Sequence, residues 1–541
     1  MITAIINARC NSSRLPLKHF RRIGEKTVIE LIIDELKKNK IIKDIYIASG
    51  PYSKNKKFKL DLSPKYKNVK FFFYNKENNV TEKIFKLSKI ISTEYSVLIS
   101  GDCVLIDNFL ISRMYKKLKK DKNYDFIKTS KRVQHEGIKL FKTQAWEKVN
   151  KLSNNKILQE NPGYIVKLKP DKFNITKFKP LNYELGKKSR LSIDTKSDLD
   201  FFEIIYQYLK TKNKEFSFYN ASKYRCFSKF NHINKHVNQK KPHKKYLEKF
   251  NLVTIKNPSL GLGHSKRINI IEREINERFT SNIKVIFLDS FPKYKVKNHI
   301  YMNIENFNKF KIENKSDYFI FDLPNEYLKL IQNKILKIKN VIFIDKFLKK
   351  KDSLKIIPAI SFKNNLKENI YSGKKCLILN REINKLNTIK QFIKVKNKGN
   401  YLTIGGTAFL SPEILKLLKI QNLILILSSL VKKSKINYFK NIGFKNIIFK
   451  PNNILELFLK SKKMFCRFGV TTFEIIALNK IPYVLFENDD DGRSKEINYL
   501  LKNKFINNNN KKQIKKNEIN INQNFHFIFD KIKKFVYDQK N

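Results

Sequence analysis

MITAIINARCNSSRLPLK, residues 1–18, decides how the chain is read. The short apolar run ITAIINA has no helical spacing and reads as a strand. It leads into the loop ARCNSSRLPLK (8–18), where Arg9, Arg14 and Lys18 stand among Asn11, Ser12 and Ser13. Backbone N–H groups and hydroxyls are short donors, and the cations offset negative charge, so such a loop can wrap a triphosphate. A solvated basic loop is the plainer reading of the same residues.

Outward from this loop, strands and helices alternate. TVIELIIDELKK is a helix opened by a capping box from Thr27 to Glu30. DIYIAS, KFFFY and YSVLIS read as strands, and so does RLSID (190–194), which runs into a helix from about Lys196 with Thr195 as N-cap and Asp198 three residues on. This alternation predicts an α/β fold with a mainly parallel sheet and helices on both faces. Ligands bind such sheets beyond the carboxyl ends of the strands. Asp102, after YSVLIS and Gly101, and Asp194, at the end of RLSID, fall at such ends. Two carboxylates there can hold one Mg²⁺, which prefers oxygen ligands and shares them with phosphates. Singly, either Asp also suits a turn or an N-cap.

The chain has 541 residues, enough for three to four domains at roughly 150 residues each. With 41% hydrophobic and 30% charged residues it is neither wholly disordered nor collagen-like. No apolar run approaches ~20 residues, so no membrane-spanning helix or anchor is expected, and MITAIINARC reads as a strand, not a signal peptide. The net charge of +64 invites a nucleic-acid partner. Lys, Asn, Ile, Phe and Tyr abound while Gly, Pro and Trp are scarce, the pattern of A/T-rich codons, and Lys is spread along the whole chain. Codon drift therefore outweighs nucleic-acid binding as the explanation. Cys10, Cys103, Cys226, Cys376 and Cys466 form no CxxC pair. An odd, widely spaced set argues for a reducing compartment, with the cytoplasm as default, and against a zinc site.

KFNHINKHVNQKKPHKKYLEK (229–249) is polar and basic and reads as a linker. Beyond it, the strand LVTI leads to NPSLGLGHSKR (257–267), where Gly261 and Gly263 flank Leu262 and His264 falls at a helix start. Glycines let a backbone approach a ligand closely, and a helix N-terminus disfavours added positive charge on an imidazole. A capping or packing His is the plainer alternative. YLTIGGTAF carries Gly405, Gly406 and Thr407 between a strand and a helix, a placement that suits a phosphate. MFCRFGVTTFEIIALNKIPYVLFEN repeats the unit with a turn from Gly469 to Thr472 and a helix bearing Glu474. That carboxylate can accept both ribose hydroxyls of a nucleotide, or Thr471 and Glu474 form a capping box.

Taken together, the ARxxSxRLPxK loop, GDCVLID (101–107) and RLSIDTKSDL (190–199) resemble the cytidylyltransferases of the spore-coat polysaccharide type, relatives of the CMP-sialic acid and CMP-Kdo synthetases, over residues 1–210. The resemblance implies a GT-A-like, Rossmann-like nucleotidyltransferase domain over 1–228, in which a nine-carbon sugar acid attacks the α-phosphate of CTP and pyrophosphate leaves. It implies that Arg9, Ser12, Arg14 and Lys18 bind the triphosphate and that Asp102 and Asp194 hold Mg²⁺. Asn11 and Leu17 stand where the family commonly has Gly, and HEGIKLF (135–141) lacks an acidic pair frequent in relatives.

GLGHSKR, the GG turn and a GxxxxE helix followed by IPYVLFEN resemble the UDP-sugar hydrolase of the pseudaminic acid pathway, itself similar to GT-B glycosyltransferases, over about residues 250–500. This implies two Rossmann-like lobes, 250–385 and 386–541, with NFHFIFDKIKKFVYD packing back across them. It implies that His264 acts on the attacking water. Gly405, Gly406, Thr407, Gly469, Thr471 and Thr472 would hold the pyrophosphate and Glu474 the ribose. Gly261, Gly263, Arg267, Asp322 and Asn488 would face the substrate, with Asp345 beside the cleft, and this half would need no cofactor. Val470 adds bulk where the family has a small, Ser-rich turn. The combined expectation is a bifunctional enzyme of nonulosonic acid biosynthesis acting on CTP, a sugar acid and a UDP-2,4-diacetamido-2,4,6-trideoxy sugar. A GT-B glycosyltransferase in the second half, or non-catalytic nucleotide-sugar binding, are the alternatives.

Overall fold

The computed structural model describes residues 1–12, 14–120, 123–131, 137–185, 189–239, 248–256, 263–279, 281–290, 298–312, 314, 316–360, 364–404, 415, 419–420, 422–428, 431–485, 494–503, 505–506 and 521–538. The chain divides into two compact units, Met1–His243 and Lys244–Asn541.

In the first unit seven strands form one sheet: β1 Ile2–Asn7, β2 Ile42–Ser49, β3 Val69–Phe73, β4 Tyr95–Ser100, β5 Phe126–Thr129, β6 Ile138–Lys142 and β7 Ile175–Phe178, in the order β3-β2-β1-β4-β6-β5-β7. β1 lies between β2 and β4, parallel to both, and β6 runs antiparallel to β4. Ile2 to Ile6 are all buried, as a central strand covered on both faces requires. The helix Val28–Lys37 starts at its capping box, with Glu30 N–H donating to Thr27 Oγ1 at 3.4 Å and Thr27 N–H to Glu30 Oε2 at 2.8 Å. The helix Lys196–Thr211 starts in the same way at Thr195 and Asp198.

Two expectations are corrected here. RLSID is not a strand. Arg190 bonds both Asp194 and Asp198, closing a local network in place of a ladder, and Ile193 N–H donates to the Asp102 carbonyl at 2.8 Å. The start of the expected linker belongs to the first unit: Phe230, Ile233 and Val237 are buried on it, and Asn234 Nδ2 donates to Asp198 Oδ1 at 3.1 Å. A short 3-10 turn at Asn231–Ile233 and the turns after it bring these three apolar side chains onto the unit. The next strand begins at Glu248, one residue before the expected linker ends.

The second unit contains two wholly parallel sheets among its described residues. The first comprises β8 Glu248–Ile255, β9 Ser281–Leu288, β10 His299–Met302, β11 Tyr318–Asp322, β12 Asn340–Ile344, β13 Leu354–Ile356 and β14 Ile370–Tyr371, in the order β10-β9-β8-β11-β12-β13-β14. The second comprises β15 Asn400–Thr403, β16 Leu423–Leu427, β17 Asn446–Phe449, β18 Lys463–Arg467 and β19 Pro482–Leu485, in the order β17-β16-β15-β18-β19. In each, the strand order reverses beside the first strand, and doubly wound sheets open their ligand crevice at that switch point. The helix Ile521–Asp538 buries Ile528, Phe529, Ile532 and Val536, and Tyr318 of β11 donates its hydroxyl to the Val536 carbonyl at 2.9 Å. The end of the chain thus packs on the sheet at the start of this unit.

Candidate functional site

In the first unit the loop after β1 returns Lys18 to the carboxyl edge of the sheet. Its Nζ lies 2.7 Å from Asp102 Oδ2 and 3.0 Å from Asp194 Oδ1. Arg14 reaches Asp194 Oδ2 at 3.0 Å, and Arg190 bonds the same oxygen. The two carboxylates therefore converge on one cation although 92 residues (194 − 102) separate them in sequence. Burial pushes the Asp102 carboxyl up, but the Lys18 ammonium more than offsets this and holds it below the usual range; Asp194 is lowered by the same balance. Burial works against the Lys18 charge, and the two carboxylates outweigh it. Of the expected triphosphate residues, Lys18 and Arg14 meet the aspartates, while Arg9 is exposed and Ser12 half-buried on the same loop.

Sequence reasoning missed the residues that hold this arrangement. Ser100 Oγ donates to Asp102 Oδ1 at 2.6 Å. His19 is buried, with Nδ1 2.8 Å from the Gly101 carbonyl and Nε2 accepting from Arg9 N–H at 3.4 Å. Those partners put its proton on Nδ1. Burial, with the Lys18 charge beside it, lowers His19 to about 4. The signal for Arg190 was present, since it opens the quoted RLSIDTKSDL segment. His19 had none beyond following Lys18. Leu17 has φ +52°, the left-handed region for which the family's glycine is suited.

In the second unit His264 lies in the first turn of the helix Gly263–Arg278, after β8 and at the switch point. Its Nδ1 is 2.6 Å from Asp322 Oδ1, at the carboxyl end of β11. Arg267 donates from Nε to Asp322 Oδ2 at 2.8 Å and from NH2 to Oδ1 at 2.7 Å, and also to Asp345 Oδ2 at 2.9 Å. Arg267 and Asp322, expected to face the substrate, are buried and bonded to each other beside His264. A Cβ at Gly263 would meet nothing nearer than the Arg267 guanidinium at 4.0 Å, so packing does not demand a glycine there.

At the second switch point the chain leaves β18 through Gly469 into the helix Val470–Ala477. The expected Thr471–Glu474 capping box does not form. Gly469 N–H donates to Thr472 Oγ1 at 3.2 Å, so Thr472 closes the turn and Glu474 falls inside the helix. Thr471 is half-buried on the first turn. Glu474 is buried without a hydrogen-bond partner among the described residues, and burial raises its carboxyl, with Lys266 the opposing charge. Gly261, Gly405, Gly406, Thr407 and Asn488 lie outside the described residues.

Residues 3–224 match the cytidylyltransferase family. An uncharacterized protein of Methanocaldococcus jannaschii, MJ1063, is 27% identical over 201 residues, 37% of this chain and 81% of that protein. Among solved structures, a cytidylyltransferase from Leptospira borgpetersenii is similar at 22% identity and a TM-score of 0.38, over 44% of this chain and 99% of its own. A CMP:2-keto-3-deoxy-manno-octonic acid synthetase complexed with CTP is similar at 14% identity and a TM-score of 0.31, over 39% and 99% of the two chains. No helix among the described residues is long and apolar enough to cross a membrane. The first unit, with its two aspartates gathered beside a basic loop, carries a cytidylyltransferase domain.

Proposed function

We propose that the first unit transfers a cytidylyl group from CTP to a nine-carbon sugar acid, with release of pyrophosphate. The observation that carries this reading is the convergence of Asp102 and Asp194 on the Lys18 ammonium at 2.7 and 3.0 Å. Two carboxylates that meet on one cation suit an oxygen-preferring divalent ion, and Asp102 and Asp194 are the residues that would hold Mg²⁺. Bound there, Mg²⁺ supplies positive charge against the triphosphate. Arg9, Ser12, Arg14 and Lys18 bind the phosphates, with Arg14 and Lys18 exchanging their contacts to the aspartates for that ligand. Buried Asp198, bonded to Arg190 at 2.9 Å, fixes Arg190 against Asp194. Incubation with CTP, Mg²⁺ and a panel of nonulosonic acids should release pyrophosphate and form a CMP-sugar; CTP left intact across the panel would refute the assignment.

For the second unit the proposed reaction is hydrolysis of a UDP-2,4-diacetamido-2,4,6-trideoxy sugar on a GT-B-type pair of sheets. Glu474 carries this reading: a buried carboxylate with no partner among the described residues suits the two ribose hydroxyls of a nucleotide. His264 takes the proton of the attacking water. Release of UDP without an added acceptor sugar is the expected result, and release only when an acceptor is present would make this half a glycosyltransferase. His264→Asn should lower the turnover of UDP release by about 10²-fold while leaving UDP affinity nearly unchanged. The two activities would flank a condensation of the freed sugar with a three-carbon unit, which gives their fusion a chemical order.

A further inference from the structure

We infer that Asp322, itself clamped by Arg267, which Asp345 holds in turn, is the positioning residue that fixes His264 as its Nδ1–H tautomer and leaves the Nε2 lone pair to take a proton. The inference rests on the reading of His264 as the base of UDP-sugar hydrolysis.

The argument starts from Asp322, whose side chain is 0% exposed. Burial raises its carboxyl, and the Arg267 guanidinium outweighs that and holds it below the usual range. An ionised carboxylate only accepts hydrogen bonds. Arg267 NH2 also lies 3.1 Å from Nδ1, but its two protons go to Asp322 Oδ1 and Asp345 Oδ2. A bare Nδ1 lone pair at 2.6 Å from Oδ1 would face a second acceptor, so Nδ1 carries the proton and donates it. The ring's remaining lone pair is then on Nε2. Asp322 cannot turn away from the ring, because Arg267 grips both its oxygens, at 2.8 and 2.7 Å.

Arg267 is held in turn by Asp345, at 2.9 Å. Asp345 follows β12 with φ +71°, and its N–H donates to the Ile356 carbonyl at 2.9 Å. That left-handed backbone is uncommon for a residue with a Cβ, though Asp tolerates it better than most. Three elements thus meet: the helix carrying His264 and Arg267, the end of β11, and the turn after β12. A purely structural ion pair would be complete with the Arg267–Asp322 fork alone. The added contact joins the buried carboxylate to an imidazole whose side chain is 16% exposed, so the His lies between the interior and solvent. A base oriented by a third group is the general arrangement for proton transfer at an attacking oxygen.

The test uses the full chain. Nitrogen NMR of the His264 ring in the substrate-free protein should report Nδ1–H, and Asp322→Asn should shift the ring toward Nε2–H. With the UDP-2,4-diacetamido sugar, Asp322→Asn should lower kcat by about 10²-fold and leave KM nearly unchanged. Arg267→Lys keeps the charge but loses the fork, and it guards against an Asp322 variant that fails to fold; it should give a smaller loss of kcat in the same direction. An Nε2–H ring in the unmodified protein, or wild-type kcat in both variants, would overturn the inference. If the unmodified protein releases no UDP yet shows an Nδ1–H ring that changes in Asp322→Asn, the positioning role stands and the hydrolase reading falls.

Discussion

Each unit ends a buried strand at an aspartate and answers it with cations, but the two arrangements differ in what they can release. Asp102 and Asp194 keep side-chain exposures of 20% and 17%, and two of their cations, Arg14 and Lys18, come from the loop after β1. Asp322 is 0% exposed, and its cation, Arg267, stands on a long helix and is shared with Asp345. In the first unit two of the counter-charges come from a loop, and under the proposed function a phosphate would compete with the aspartates for them. In the second they form a closed fork that holds one ring still. A strand-end aspartate alone does not distinguish the two uses; the element that carries its counter-charge, a loop or a long helix, does.

The sharpest test of that contrast is stability. Asp322→Ala leaves the Arg267 guanidinium buried beside Asp345 alone, and breaking such a buried pair costs about 3–5 kcal/mol. Asp102→Ala should cost clearly less, because Lys18 retains Asp194 at 3.0 Å. Equal losses in denaturant titrations would erase the distinction. Function should show the opposite order: Asp102→Asn should reduce cytidylyl transfer by roughly 10²–10³-fold with little change in unfolding midpoint. Wild-type CMP-sugar formation by this variant in the presence of a chelator would remove Asp102 from the site.

Glu474 provides the third test, because burial outweighs the opposing charge of Lys266. Its carboxyl is raised in the folded state, so its share of stability is present below the unfolded value and lost as pH rises through the folded one. Glu474→Gln should therefore unfold at a higher temperature than wild type at pH 7, with the gap closing near about pH 4. The same variant should bind UDP roughly tenfold more weakly. A stabilised variant with unaltered UDP affinity would leave Glu474 as an unexplained burial. The smallest effect is local: Leu17→Gly relieves a left-handed residue that is 41% exposed and should gain about 1 kcal/mol without loss of transfer activity.

Local chemistry was readable where it closes within a few residues. The Thr27–Glu30 and Thr195–Asp198 boxes need only a helix start, and both formed. The approach of Asp102 and Asp194 was expected from two strand ends, but only Asp102 follows a strand; Asp194 arrives on a loop that Arg190 holds. Contacts between distant segments were not legible: nothing near Asn234 in sequence shows that it reaches Asp198, and Arg267 and Asp345 are 78 residues apart. The Thr471–Glu474 box failed because the helix begins two residues earlier than that box requires, which assigns capping to Thr472 and turns Glu474 inward. The lysine-rich stretch after Lys229 hid its buried residues, Phe230, Ile233 and Val237, because composition averages over positions that its turns separate.

His19 gives the first unit a sensitivity to acid that its aspartates alone would not explain. It stitches the Arg9 backbone to the Gly101 carbonyl through an uncharged ring. The unfolded chain binds a proton at this ring near the ordinary value of about 6.5, while the folded chain resists until about 4. Across that interval each pH unit favours unfolding by up to about 1.4 kcal/mol through this one side chain. Mild acidification should therefore loosen the seam between the loop after β1 and the turn that carries Asp102 while the carboxylates are still charged.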